Sequence, residues 1–150
     1  MKTLIVCTAT AAIAMAAPVF AAGDLSRADV QEVIIKMATN DDGSMYFEPS
    51  DFVFETGQAY KLRMVNLDPV KHEVTFGEAG EKMFTRKIEI EDTDGELIAE
   101  IKGAVHEVEI GPERTVDWYF VPVQTIEATE LYCELEGHRE AGMVGTVTFE

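Results

Sequence analysis

The sequence predicts an all-β protein, a sandwich or barrel of short strands, and two observations lead to that prediction. From Gln31 onward apolar residues alternate with polar ones, and a period of two is typical of strands with one buried face. Clusters of turn-forming residues separate the alternating runs, at positions 41–43, 55–57, 68–69 and 111–112. About seven or eight short strands divided in this way favour an antiparallel sandwich or barrel.

Each strand is predicted from a set of alternating apolar residues. Such a set places its apolar side chains on one face, where they can form a core. An apolar content of 47% is ordinary for a folded domain and argues against a disordered acidic tail. The sets are, in chain order, Val33, Ile35 and Met37; Phe52 and Phe54; Tyr60, Leu62 and Met64; Val108 and Ile110; Val116, Trp118 and Phe120; 131–134; and 144–149.

The segment 77–106 is predicted to be an insertion of mixed structure. Ile88 and Ile90 alternate with acids as in a strand, whereas the apolar residues between 97 and 105 also fit a helix. The turn-forming residues 92–95 could close a hairpin. A calcium-binding EF-hand loop is excluded, because Ile90 and Ile101 would occupy two positions that require carboxylates. The acidic run 89–96 is interpreted as a solvated face.

Residues 1–21 are predicted to be a secretory signal peptide. Lys2 precedes an apolar, Ala-rich stretch, and the small-x-small pattern of a cleavage site follows at 19–21. This stretch is too short to be a good membrane span. We therefore expect an exported, periplasmic protein whose mature chain, 22–150, is one domain without a transmembrane segment.

The charge of the chain restricts its partners. It has 12 basic and 28 acidic residues, a net charge of −16. The leader contains one lysine and no acid, so its removal leaves 11 basic and 28 acidic residues, a net charge of −17. Nucleic acids and anionic membranes are recognised largely through basic residues, so neither is expected as a partner. A protein with a basic docking surface is favoured instead.

Cys133 gives the first indication of chemistry. Without the leader it is the single cysteine of an exported chain, so an intramolecular disulfide is excluded. Cys133, His138 and Met143 follow one another in the spacing C-x4-H-x4-M, which suits one loop whose side chains converge. Thiolate, imidazole and thioether together select copper over magnesium or calcium. His72, which follows the turn at 68–69, can supply a second imidazole.

The arrangement resembles the cupredoxin family of type 1 blue copper proteins, and the closing loop is especially similar to that of rusticyanin-like and sulfocyanin-like members. The resemblance implies a Greek-key β-sandwich that binds one type 1 copper per chain and transfers single electrons. It implies His72, Cys133 and His138 as the strong ligands and Met143 as the weak axial ligand. The segments in family order are 47–49, 60–66, His72, 111–114 and the Cys-His-Met loop.

Glu73 departs from the family pattern. Many cupredoxins have a small polar residue at this position, often Asn or Ser, that ties the two ligand-bearing loops together. A carboxylate beside copper could disfavour the reduced site through its added charge, or it could point to solvent.

Three functions are compared for such a chain. A periplasmic electron carrier, expected to be a monomer, is preferred. A copper-binding or copper-delivery protein for homeostasis or metalloenzyme assembly is the alternative, because the ligand set is the same. A metal-free structural module is disfavoured by the complete ligand set. An enzyme is not expected, because Cys133 and His138 lie in one short loop without an orienting Asn or Asp or an oxyanion motif.

Other residues of similar chemistry are interpreted as structural. His106 shares parity with Val108 and Ile110 and lacks a second ligand at metal-site spacing, so it is predicted to be a partly buried strand histidine. Met45 and Met83 could form a soft copper site, but core packing is the preferred interpretation.

Overall fold

The computed structural model describes residues 28–150, and the predicted signal peptide lies outside these described residues. The described chain contains short strands and one 3-10 helix. Within it there is no helix long and apolar enough to cross a membrane. The elements are β1 (Val30–Thr39), β2 (Met45–Glu48), β3 (Asp51–Phe54), β4 (Ala59–Asn66), β5 (His72–Thr75), the 3-10 helix (Gly77–Lys82), β6 (Met83–Glu91), β7 (Leu97–Ile101), β8 (Glu107–Ile110), β9 (Thr115–Pro122), β10 (Ile126–Tyr132) and β11 (Val144–Phe149).

The strands form two sheets, which confirms the all-β sandwich. The six-stranded sheet has the order β2-β1-β4-β9-β6-β7, and the five-stranded sheet has the order β3-β11-β10-β5-β8. The prediction of an antiparallel sandwich or barrel was wrong for two pairs of strands, since β1 with β4 and β3 with β11 are parallel. The chain leaves β1 through β2, crosses to the other sheet as β3 and returns as β4, so β4 runs in the direction of β1. Alternation within a strand carries no information about such crossings.

The core lies between the sheets and is rich in aromatic rings. Trp118 and Phe120 of β9 are fully buried, and both pack edge-on against Phe76, with ring centroids 5.1 and 5.7 Å away. The indole Nε1–H of Trp118 donates to Thr85 Oγ1 at 3.1 Å, which satisfies its polar group inside the core. Met83 belongs to this core and Met45 packs against it, which confirms their interpretation as packing residues.

The inserted segment is mixed, as predicted, but it contains no α-helix. It consists of the 3-10 helix followed by the β6–β7 hairpin, so the helical alternative for 97–105 was wrong. Asp92 explains the turn, because its side-chain oxygen accepts the backbone N–H groups of Asp94 and Glu96, both at 2.9 Å. The hairpin ends in β7, an edge strand whose large apolar side chains are exposed.

His106 was predicted wrongly. It lies in a bend immediately before β8 and is exposed, whereas a partly buried strand position was expected. Its backbone carbonyl accepts the N–H of Phe76 at 3.1 Å, and its ring lies against Gly80. His106 does share the alternation of Val108 and Ile110, but β8 begins only at Glu107, so the alternation does not predict the burial of His106.

Candidate metal centre

Three of the four predicted ligands lie at the ends of strands. His72 is the first residue of β5, Cys133 follows β10 directly, and Met143 directly precedes β11. These three residues are fully buried, while His138 lies between Cys133 and Met143 and is half-buried. The predicted strand 131–134 ends earlier than expected, at Tyr132, so Cys133 already belongs to the loop. Strand ends are suitable positions because the sheets hold them while the loop supplies the curvature.

Three of the predicted ligands bring their donor atoms to one point. His72 Nδ1 lies 3.2 Å from His138 Nδ1, and Cys133 Sγ lies 3.4 Å from the same nitrogen. The donor atoms of His72, Cys133 and His138 all lie within 4.8 Å of one another. Donor atoms this close surround a point at which a metal cation can take the place of any proton between them.

Backbone hydrogen bonds close the loop that contains Cys133, His138 and Met143. The Cys133 N–H donates to the Met143 carbonyl at 3.2 Å, and the Met143 N–H donates to the His138 carbonyl at 3.0 Å. Gly137 and Gly142 have φ of 83° and 104°, so both occupy the left-handed region that favours glycine. The loop therefore holds the Met143 backbone directly opposite that of Cys133.

Asp68 orients the His72 ring and was missed in the sequence. Its Oδ2 lies 2.7 Å from His72 Nε2 and accepts the Thr39 hydroxyl at 2.6 Å. Burial raises the pKa of Asp68, but the hydrogen bonds from Thr39 and His72 outweigh it, so the pKa lies below its usual value. The only sequence signal was the Asp68-Pro69 pair, which indicated a turn and said nothing about the histidine.

Cys133 receives backbone hydrogen bonds at its sulfur. The Glu73 N–H donates to Cys133 Sγ at 3.3 Å, which ties the segment of the first histidine to that of the cysteine. Burial raises the pKa of Cys133, and contacts with the backbone amides of Leu135 and Glu73 offset part of that rise. Without metal the sulfur therefore carries its proton at neutral pH, and a bound metal releases it.

The side chain of Glu73 is buried, so the alternative that it points to solvent was wrong. Burial and the nearby carboxylates of Glu107 and Glu134 raise its pKa, whereas the backbone amide of Glu134 partly lowers it. In many cupredoxins a small polar residue at this position ties the two ligand-bearing loops together. Here the backbone N–H of Glu73 makes such a tie through its hydrogen bond to Cys133 Sγ.

His138 is prepared to act as a neutral ligand. Burial lowers its pKa, and the neighbouring His72 lowers it further, although Asp68 acts in the opposite direction. A neutral imidazole offers a nitrogen lone pair, which metal ligation requires. The resulting set of one sulfur and two imidazoles, with the thioether of Met143 in the same loop as Cys133 and His138, fits copper better than a hard cation.

Comparisons with known proteins point to the same metal. Residues 34–150 match a family profile described as copper binding proteins, plastocyanin/azurin family. The fold is similar to that of auracyanin A, a "blue" copper protein from Chloroflexus aurantiacus, with a TM-score of 0.50 and 14% identity over 81% of this chain and all of that one (100%). A search of curated proteins found no significant match.

Two enzymes share the fold over part of their length. The McoA multicopper oxidase 2F4 variant from Aquifex aeolicus is similar with a TM-score of 0.60 and 15% identity, over 89% of this chain and 31% of that one. A copper-containing nitrite reductase from Thermus scotoductus SA-01 gives a TM-score of 0.55 and 13% identity, over 81% of this chain and 30% of that one. The chain thus spans about a third of these enzymes, and at such identities the likeness concerns the fold.

Proposed function

The chain belongs to the plastocyanin/azurin family of copper-binding proteins, and we propose that it is an exported carrier of single electrons with one type 1 copper per chain. His72, Cys133 and His138 are the strong ligands of this proposal, and Met143 is the weak axial one. The observation that carries it is the convergence of three buried or half-buried donor atoms within 4.8 Å. The special likeness of the closing loop to rusticyanin-like members stays a prediction.

Copper, when bound, supplies the chemistry, because it exchanges one electron between Cu(II) and Cu(I). The chain's own residues keep the surroundings unchanged during that exchange. Asp68 holds the His72 ring, the Glu73 amide holds the Cys133 sulfur, and the hydrogen-bonded loop holds His138. A site whose ligands are already positioned needs little reorganisation in either oxidation state, which suits fast electron transfer.

His138 is the proposed point of electron exit. It is the most exposed of the four ligands, and the small residues Gly137, Ala141 and Gly142 in its loop permit close approach of a partner. Leu67 and Val70, which flank the turn containing Asp68, add exposed apolar surface. With the net charge of −17 that remains without residues 1–21, the chain steers a basic partner, and salt slows that association by screening.

Copper delivery is the second candidate, and the open side of the ligand loop favours it. A surface cleft of about 410 Å³ is lined by Cys133 and by residues of the loop that follows it. An acceptor that reaches into this cleft would contact the loop that follows Cys133. The electron carrier is preferred because His72 and Cys133 are themselves fully buried. Oxidase or reductase activity is not part of either proposal.

Reconstitution with Cu(II) tests the proposed site. We expect one copper per chain and an intense visible thiolate-to-copper absorption band, because Cys133 supplies the sulfur. Cys133→Ser should lose that band even where copper stays bound, whereas the matched control His106→Gln should keep it. A Cys133→Ser protein with the full band would contradict the ligand assignment.

Two assays on the copper protein distinguish the carrier from the delivery protein. Stopped-flow mixing with a basic cytochrome should give rapid electron transfer that slows as ionic strength rises. Incubation with a chelating copper acceptor should leave the copper in place. Slow, salt-independent electron transfer together with rapid copper release would reject the carrier and favour delivery.

Export to the periplasm is proposed from residues 1–21 and tested by fractionation. Cells that express the full chain should contain a periplasmic product that begins near residue 22. Deletion of 2–21 should leave the protein in the cytoplasm, and equal periplasmic amounts from both chains would refute the leader.

A further inference from the structure

The turn between β4 and β5 is built around a buried carboxylate. Asn66 Oδ1 accepts the Asp68 N–H at 2.9 Å, and Asn66 Nδ2 donates to the carbonyls of Val70, Ile110 and Gly111 at 2.7, 3.1 and 3.0 Å. These contacts fix the backbone of the turn before any metal is considered. The Asp68 carboxylate then lies between the Thr39 hydroxyl of β1 and the His72 ring of β5.

We propose that Asp68 is a positioning residue that keeps His72 ready for copper and lowers the reduction potential of the site. The inference rests on the proposed function, since it concerns the relative stability of Cu(II) and Cu(I). It adds a charged residue to the metal centre that is not itself a ligand and that acts through His72.

The contact with Asp68 determines the orientation of the His72 ring. An ionised carboxylate only accepts hydrogen bonds, so Nε2 of His72 must carry the ring proton that faces Asp68 Oδ2 at 2.7 Å. Nδ1 is then left with its lone pair, and it is this atom that faces His138 Nδ1 at 3.2 Å. Asp68 thus selects the tautomer that a metal at the convergence point needs.

The negative charge of Asp68 also acts on the metal position. The side chains of His72 and Asp68 are 0% and 11% exposed, so water screens their interaction weakly. A carboxylate that accepts the Nε2–H makes Nδ1 a stronger donor, and its negative charge lies one imidazole ring from the metal position. The doubly charged Cu(II) gains more from both effects than Cu(I). When a partner supplies the electron that converts Cu(II) to Cu(I), part of this stabilisation is lost, so the potential is lowered.

Three variants of the full copper protein isolate the charge. Asp68→Asn keeps an oxygen acceptor for the ring and removes the charge. Thr39→Val keeps the charge and removes the hydroxyl that shares Oδ2. Asp51→Asn is the matched control, because Asp51 accepts the Thr146 hydroxyl at 2.6 Å, as Asp68 accepts that of Thr39, but on the exposed surface.

The reduction potential is the main measurement. We expect Asp68→Asn to raise the affinity for Cu(I) relative to Cu(II) at least tenfold, a rise of about 59 mV for a one-electron couple. Thr39→Val should leave the potential unchanged or lower it, and Asp51→Asn should leave it near that of the wild type. An unchanged potential in Asp68→Asn, or equal rises in Asp68→Asn and Thr39→Val, would overturn the proposal.

Nitrogen NMR of the metal-free wild-type protein at neutral pH tests the orientation without copper. We expect the His72 tautomer with the proton on Nε2, and a proton on Nδ1 instead would overturn the proposal even if Asp68→Asn does not fold. The two inferences fail separately. A wild-type protein without the visible band contradicts the proposed function, whereas a blue protein whose potential ignores Asp68 contradicts only the role of Asp68.

Discussion

Two turns of this molecule use similar residues for different ends, the turn 66–72 beside the metal centre and the turn 92–96 of the β6–β7 hairpin. Each is organised by an aspartate. Asp92 accepts backbone N–H groups of its own turn, whereas Asp68 reaches Thr39 of β1 and His72 of β5. The arrangement around Asp92 only reverses the chain. The arrangement around Asp68 joins distant segments and positions a ligand.

The strands at the two ends of the molecule, β7 at the hairpin and β2 at the metal centre, also differ in their contacts. Leu97 and Ile98 of β7 are 56% and 66% exposed on an edge strand. At the metal end, Met45 donates its N–H to the Ala141 carbonyl and so connects β2 with the ligand loop. We infer that substitutions at the metal end, where several segments hold each side chain, have large effects on copper binding or stability. Substitutions in the hairpin should have small effects. Five predictions test this difference, beginning with the largest expected effect.

The largest effect is expected from His72→Gln, because it removes a buried donor from the convergence point. Copper affinity should fall by more than about 100-fold, since loss of outer-shell partners alone typically costs 10- to 100-fold. The exposed His106 provides the control, and His106→Gln should bind copper as the wild type does. Competitive titration with a chelator measures both. Equal affinities for the two variants would remove His72 from the site.

Gly145→Ala should be nearly as damaging, for reasons of packing. A Cβ at Gly145 would lie 2.2 Å from the Ser50 carbonyl oxygen, a contact that requires the backbone of β11 or of residue 50 to move. We expect a loss of about 3 kcal/mol in the free energy of unfolding. Gly111→Ala is the control, because its Cβ would meet only Arg114 Cγ at 3.8 Å. Similar denaturation midpoints for the two variants would contradict the close approach.

Asp117→Asn tests charge in the middle of a sheet, between the two regions compared. Asp117 contacts Lys61 and Arg63. Burial acts to raise the pKa of Asp117, but the hydrogen bonds from these two cations outweigh it and hold the pKa below its usual value of 3.8. The substitution removes the negative charge that Lys61 and Arg63 share, which should lower the free energy of unfolding by about 2 kcal/mol at pH 7. Chemical denaturation measures the difference.

The pH dependence gives the same prediction an independent check. A depressed folded-state pKa contributes stability that is fully present above the unfolded value and is lost as pH falls through the folded value. The wild type should therefore lose stability relative to Asp117→Asn below about pH 3.8. Glu100→Gln, an exposed substitution on β7, should show the same trend with a much smaller amplitude, because Lys102 and Lys87 lower the pKa of Glu100 but water screens these charges. A constant difference between wild type and Asp117→Asn across the acid range would contradict the lowered pKa.

Met143→Leu should alter the metal centre without emptying it. If the thioether is a weak axial ligand, its replacement removes a neutral donor, favours Cu(I) and raises the potential by an amount on the order of 50 mV. Met83→Leu replaces a core methionine away from the ligand loop and should leave the potential unchanged. Loss of copper from Met143→Leu as complete as that from His72→Gln would contradict the axial role.

The smallest effect is expected in the hairpin. Ile98→Thr replaces an exposed side chain on a strand that has a neighbour on one side only. The free energy of unfolding should change by no more than about 0.5 kcal/mol, and copper binding should not change. A large loss of stability or of copper affinity would show that the hairpin supports the metal end, and the comparison would then fail.

The sequence predicted the features that depend on neighbours along the chain. Alternation gave the strands, because burial of one face is a local pattern, and the spacing of Cys133, His138 and Met143 predicted one loop. The parallel pairs and the contact between Asp68 and His72 could not be predicted from local patterns. These partners depend on how the chain crosses between the sheets, and such crossings produce no periodic pattern in the sequence. The exposure of His106 could not be predicted for a related reason, because it depends on the exact residue at which β8 begins.

The pairing of β3 with β11 has a consequence for the order in which the molecule forms. Asp51 and Thr146 are 95 residues apart, yet their side chains are joined by a hydrogen bond of 2.6 Å, and the strands on either side run in register. Closing so large a loop is slow, because its entropy is lost before the contact is gained. β10 and β11 pair locally on either side of the ligand loop, so Cys133, His138 and Met143 come together without waiting for β3 to join β11. Partly folded chains would therefore already hold these three ligands close together before the sheet is complete.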